Sequence, residues 1–267
     1  MTEIIGYILS TVVGISLGLI GGGGSILTVP ILVYVFGLGP EISTSYSLFI
    51  VGLTALAGSY NYYRNNLVNL KAALIFSVPS LIAVFLTRKF IMPALPDVIF
   101  TVGGFQFTRP IFIMTVFAAL MIAASISMIR KSKAPDPSKM KPGHHYALIF
   151  LEGAVVGVLT GFVGAGGGFL IIPALVLLAG LPMKEAVGTS LLIIGIKSLL
   201  GFTGDISAGV NIDWMFLAIV SVFTIAGIYI GSSLAKKIHG DKLKPVFGWF
   251  VLAMGIYIML RETIFKS

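Results

Sequence analysis

Cysteine is absent from this chain of 267 residues, which excludes disulfides, thiolate catalysis and Cys-ligated metal centres. Charge is scarce too. Asp, Glu, Lys and Arg make up 10% of the residues, against about 25% in a soluble domain. A soluble fold of this size cannot cover its surface with so few charges. Histidine occurs only at His144, His145 and His239, all in polar loops between apolar runs. A Ser–His dyad inside the apolar segments is therefore excluded. No GxGxxG follows a soluble strand, and no Lys-Ser/Thr pair follows "GGGGS", so the nucleotide-cradling motifs are missing. The opening "MTEIIGYILS" lacks the basic leader of a signal peptide and reads as the start of a retained membrane segment.

What the chain has instead is apolar length. Its hydrophobic share is 57%, against roughly 45–50% for an ordinary soluble protein. Apolar segments run over 4–20, 25–38, 42–60, 70–88, 109–130, 146–163, 168–181, 186–204, 212–235 and 245–262. The expected class is an all-α, polytopic integral membrane protein with the lipid bilayer as its solvent. The net charge of +8 does not point to nucleic acid, because the basic residues cluster between apolar segments, as membrane orientation requires. No metal or cofactor motif is present, and a homo-oligomer stays open.

Two of the segments, 25–38 and 168–181, fall short of the about 20 residues a crossing needs. Each follows a glycine cluster, "GLIGGGGSILTVPIL" or "GFVGAGGGFLIIPAL". A shift of 143 residues superposes the two, and roughly 17 of 45 paired positions between 14 and 58 are identical. Internal duplication accounts for this better than shared composition. The division expected is residues 1–130 as one membrane repeat, 131–145 as a basic cytoplasmic linker and 146–267 as the second repeat.

Orientation follows from Lys and Arg. The linker, with Arg130, Lys131, Lys133, Lys139 and Lys141, and the loop with Lys236, Lys237, Lys242 and Lys244 belong inside. The stretch from Asp205 to Asp213 has no basic residue and suits the outside. Segment 146–181 must then leave the cytoplasm and return as a hairpin or re-entrant pair folded at its glycines. Repeating that fold places the N-terminus outside and inverts the halves. Each repeat is a Gly-rich broken hairpin plus three transmembrane helices, an architecture of transporters. Arg88, Lys89 and Arg109 fall outside in this scheme, against the usual bias.

A helix break at midplane leaves backbone groups unpaired at several kcal/mol each unless protein or water satisfies them. Glycines turn the chain at little steric cost, and Ser25 is the expected N-cap of the helix that follows. Two helix N-termini would then converge on the centre, each worth up to about 2 kcal/mol to an anion. The expected binding residues are Gly21, Gly22, Gly23, Gly24 and Ser25 in the first turn, and Gly164, Gly166, Gly167 and Gly168 in the second. Tyr46, Ser47, Thr189 and Ser190 add hydroxyls. Gly14 and Gly18 read as helix-packing positions. Lys197 stands near the middle of an apolar segment, where a lysine costs about 2.5–3.5 kcal/mol. It is a cation awaiting an anion, or it pairs with Glu152 or Asp205. Its repeat equivalent is Thr54.

The duplicated glycine turn followed by proline, with "AVGTSLLIIGIKSLLGF" downstream, resembles the TauE/SafE sulfite exporter family over both halves. The resemblance implies a polytopic inner-membrane transporter exporting sulfite, sulfoacetate or related anions. It implies a site at Gly21 to Ser25 and Gly164 to Gly168, with Thr189 and Ser190. The family commonly has Asn where Lys197 stands. Residues and resemblance agree on a carrier of a small anion and on no enzyme activity. A passive anion channel, a carboxylate carrier and, more remotely, an intramembrane Ser25–Lys197 hydrolase remain alternatives.

Overall fold

The computed structural model describes residues 2–102, 105–129, 142–163, 167–177, 180–235 and 240–263. They are mostly helical, as lipid demands of a backbone that must satisfy its own hydrogen bonds. Helix α1 (Thr2–Ile20) runs into a 3₁₀ stretch (Gly21–Leu27) and a short α2 (Thr28–Tyr34). Then come α3 (Pro40–Arg64) and α4 (Leu70–Leu86), which continues through a π-helical turn (Thr87–Ile91) into α5 (Met92–Ala94). After α6 (Arg109–Ile129) come α7 (Pro142–Val163), α8 (Gly168–Leu177), α9 (Met183–Ser207), α10 (Trp214–Ala235) and α11 (Gly240–Thr263). Five of these helical stretches are long and apolar enough to cross a membrane by length and composition. Large apolar side chains such as Ile8, Leu74, Ile82, Met215, Val222 and Trp249 lie exposed, which suits a surface wetted by lipid.

The helices start where the local chemistry dictates. Pro40 opens α3, where its missing N–H costs nothing. Asn69 caps α4 by accepting from the amide of Ala72 at 3.0 Å, and Asp213 caps α10 by accepting from Phe216 at 3.0 Å. The remaining helices are held by close packing. Gly14 and Gly18 of α1 lie against Gly227 and Gly231 of α10, and Gly157 and Gly161 of α7 lie against Ser80 and Thr87 on the α4 rod. Both pairs run parallel. The central helices α3 and α9 cross antiparallel, with Gly52 against Leu199 and Gly195 against Leu56. Helix α6 packs on α11. The packing expected of Gly14 and Gly18 is thus what the backbone shows.

Two features stand apart from the expectations. An antiparallel hairpin, β1 (Val98–Val102) with β2 (Phe105–Thr108), lies within the otherwise helical pattern. The rings of Phe100 and Phe107 stack across it at 4.6 Å. Arg109 ties this hairpin down, pairing with Asp97 and, at 3.0 Å, with Glu41. Helix α7 begins at Pro142, so the backbone at His144 and His145 is helical rather than loop, and Glu152 stands in its third turn. Residues 130–141 and His239 lie outside the described residues.

Candidate functional site

Both glycine clusters reverse the chain. Gly21 has φ +71° and Gly167 has φ +66°, the left-handed region that a side chain disfavours. After Gly21 the chain winds at once into the 3₁₀ stretch. After Gly167 it enters α8, whose first bond returns from Ile171 N–H to Gly167 O at 3.2 Å. The first three amides of α8 have no partner within that helix.

The two reversals meet. A β-carbon on Gly22 would lie 2.0 Å from Gly168 Cα, and one on Gly168 would lie 2.1 Å from Gly22 Cα. The backbones therefore touch, which only glycine permits. Gly24 sits as tightly against Ser16 and Leu17 of α1, where a β-carbon would fall 2.4 Å from Leu17 N. Gly23 lies within the 3₁₀ stretch. Gly164 and Gly166 lie outside the described residues.

Lys197 reaches the second reversal from α9. Its Nζ lies 2.9 Å from where a Gly167 β-carbon would be, and Thr160 of α7 crowds the same spot. The Lys197 side chain is 0% exposed, and its Nζ has no hydrogen-bond partner among the described residues. Neither acid considered for it takes the role. Asp205 faces Arg88, 3.5 Å from its Nη1, and Glu152 is half-buried on α7. An uncompensated buried charge is costly.

The expected hydroxyls divide. Ser190 lies at the first reversal, its Oγ 3.3 Å from the β-carbon position of Gly21, and it donates to Val187 O at 2.8 Å. Ser47 is fully buried with an unpartnered Oγ among the described residues. Tyr46 and Thr189 are brought elsewhere. The Tyr46 hydroxyl accepts from the amide of Asp213 at 2.7 Å, and Thr189 Oγ1 accepts from the amide of Asn69 at 2.8 Å. Both hold helix starts rather than facing the glycine turns.

Ser25 is not an N-cap. It lies inside the 3₁₀ stretch and its hydroxyl donates to Gly22 O at 2.7 Å. It is not hydrogen-bonded to Lys197, so the hydrolase dyad is absent. Thr160 was not anticipated: it is a lone hydroxyl in an apolar run whose repeat equivalent is Leu17, so the repeat gives no hint of it. Arg88, an orientation charge in the sequence, is buried against Asp205, as an arginine at the end of an apolar segment signals.

Five long apolar helices among the described residues make this, by length and composition, a multi-pass membrane protein. The chain belongs to the family described as "Sulfite exporter TauE/SafE", whose model matches residues 7–258. It is 32% identical over 266 residues to a probable membrane transporter protein of Xylella fastidiosa (strain 9a5c), a match covering 94% of this chain and 92% of the relative. It is 26% identical over 286 residues to the probable membrane transporter protein YunE of Bacillus subtilis (strain 168), covering 100% of both. No solved structure matches the chain. It is a multi-pass membrane transporter, not an enzyme.

Proposed function

We propose that the chain is a secondary carrier that exports small sulfur-containing oxyanions, sulfite or short organosulfonates, across the inner (plasma) membrane. The carrying observation is Lys197, fully buried beside the Gly167 turn and without a hydrogen-bond partner among the described residues. An oxyanion there would receive the ammonium and the first amides of α8, with Ser47 and Ser190 as further hydroxyls and Gly167 and Gly168 beside it. The family's description as sulfite exporters supports the substrate class. The backbone contact between Gly22 and Gly168 supports a carrier over an open channel, since the two turns leave no room between them.

We further infer that residues 1–130 and 146–267 are inverted repeats about a two-fold axis in the membrane plane. Exchange-symmetric contacts support this. Gly52 meets Leu199, and Gly195, 143 residues later, meets Leu56, 143 residues before Leu199. Gly14 meets Thr224 and Gly227, as Gly157 meets Ser80 and Ala83. The Tyr46–Asp213 tie is matched by Thr189–Asn69. In this arrangement Arg88 and Arg109, two of the three basic residues on the outer side, each have acidic partners, and residues 131–145 are the cytoplasmic linker.

A thermal-shift series on purified protein tests the substrate class. Sulfite, sulfoacetate and taurine are compared with sulfate, phosphate and acetate. Stabilisation by sulfite or sulfoacetate, lost in Lys197→Ala, is expected. Equal stabilisation by acetate and phosphate would overturn the sulfur preference, and retention in the variant would overturn the role of Lys197.

A further inference from the structure

Arg88 stands in the π-helical turn that follows α4, a local widening often found at functional sites. It is 2% exposed. Its niche exists because α9 has a glycine opposite: a β-carbon on Gly204 would lie 3.0 Å from Arg88 Cβ. Only one nitrogen of the guanidinium is occupied. Nη1 donates to Thr44 Oγ1 at 3.1 Å and lies 3.5 Å from Asp205 Oδ2. Nε and Nη2 are buried and have no partner among the described residues.

Those two nitrogens belong to one edge. Nη2 is the terminal nitrogen on the same side as the Nε–H, so the two N–H bonds run parallel. This is the side-on fork that matches two oxygens of one oxyanion. Leaving charged donors unfilled in a buried site costs free energy, and no described residue fills them. Asp205 does not. It lies toward the opposite edge, at a separation longer than the about 2.7–2.9 Å of a charge-assisted hydrogen bond.

We propose that the Nε–Nη2 edge of Arg88 is a second binding station for an oxyanion presenting two oxygens, a sulfonate, sulfite or carboxylate, about 12 Å along α9 from Lys197 at 1.5 Å per residue. Lys197, Gly201 and Asp205 recur at helical spacing, so both stations border one stripe of α9. The proposal rests on the reading of the chain as a small-oxyanion carrier and adds a second stop to it. Asp205 competes with the anion for the guanidinium, so it sets how tightly this station holds.

The test uses full-length protein labelled at arginine Nε. The arginines are Arg64, Arg88, Arg109, Arg130 and Arg261, and the Arg88 N–H signal is identified by its loss in Arg88→Lys. Sulfoacetate, ionised throughout the neutral range, is the probe. The Arg88 signal is expected to move on titration in wild-type protein and equally in Lys197→Ala. Arg88→Lys, which keeps a cation opposite Asp205, is expected to lose one of two classes of bound sulfoacetate. Asp205→Asn is expected to tighten that class about tenfold, by removing the competitor. An Arg88 signal unmoved at saturation, with binding at Lys197 intact, overturns the second station and leaves the carrier reading standing. Absence of any sulfoacetate, sulfite or acetate binding to wild-type protein overturns both. The wild-type signal decides the matter even if Arg88→Lys fails to fold.

Discussion

Thr54 and Lys197 occupy equivalent places in the two halves, 143 residues apart, and the structure treats them differently. The Thr54 hydroxyl is satisfied by Thr224 Oγ1 at 2.7 Å. The Lys197 ammonium is fully buried with no such partner among the described residues. The two backbone reversals differ in the same sense. The first leads into a 3₁₀ stretch and the second into an α-helix. The two halves are thus unequal at their centre: Thr54 has a hydroxyl partner from the other half, while Lys197 has none among the described residues.

The harshest way to break this comparison is to fill the contact the halves share. Gly22→Val and Gly168→Val each force a side chain into a space where a β-carbon already meets backbone at 2.0 and 2.1 Å. Overpacking costs about 1–3 kcal/mol even where neighbours can give, and backbone gives least. Both variants are expected to abolish uptake of radiolabelled sulfite in reconstituted vesicles. Normal flux in either would show that the turns need not touch.

Removing the charge comes next. Lys197→Ala is expected to weaken sulfite binding by at least about tenfold, the equivalent of one charge-assisted hydrogen bond of about 1.5–3 kcal/mol. Its melting temperature should be equal to wild type or higher, because it deletes an uncompensated buried cation. Isothermal titration and a melting curve read the two effects separately, and a lowered melting point would identify a structural partner for the lysine.

Exchanging the pair sharpens the comparison. In the double variant Thr54→Lys with Lys197→Thr, binding should return to within about tenfold of wild type if the position near the crossing of α3 and α9 matters more than the half supplying it. Affinity as poor as that of Lys197→Ala would show instead that the α8 amides, present in one half only, are indispensable.

The smallest effect is expected at the helix starts. Tyr46→Phe and Thr189→Val each remove one hydroxyl accepting from a capping residue's amide. A net loss of about 0.5–1.5 kcal/mol of stability is expected, with anion affinity unchanged in the same titration. A fall in affinity would restore these hydroxyls to the binding site.

Segment lengths were legible because lipid leaves the backbone few choices. The apolar run 186–204 lies within α9 (Met183–Ser207), and 42–60 lies within α3 (Pro40–Arg64). The stretch "VIFTVGGFQFT" carries a hairpin signal, two apolar runs around Gly-Gly. Neither run has the length to cross a bilayer, so a search for spans discards it. At the site, the repeat identified both reversals but not that Gly22 and Gly168 touch, since contact between distant segments leaves no periodicity. Ser25 was misassigned for a local reason. Helical winding resumes at Gly21, four residues before the serine, which left it no free amides to cap.

Helices α1 and α7 each lean on a rod from the other half, α10 and α4 respectively, through glycine-lined seams. Cutting the chain between residues 130 and 142 would strip each piece of the surface its own first helix needs, exposing close-packed backbone to lipid. A gene encoding one piece alone would yield a working protein only by pairing with another molecule that supplies the missing rod. Carrying both pieces in one chain removes that dependence on finding a mate.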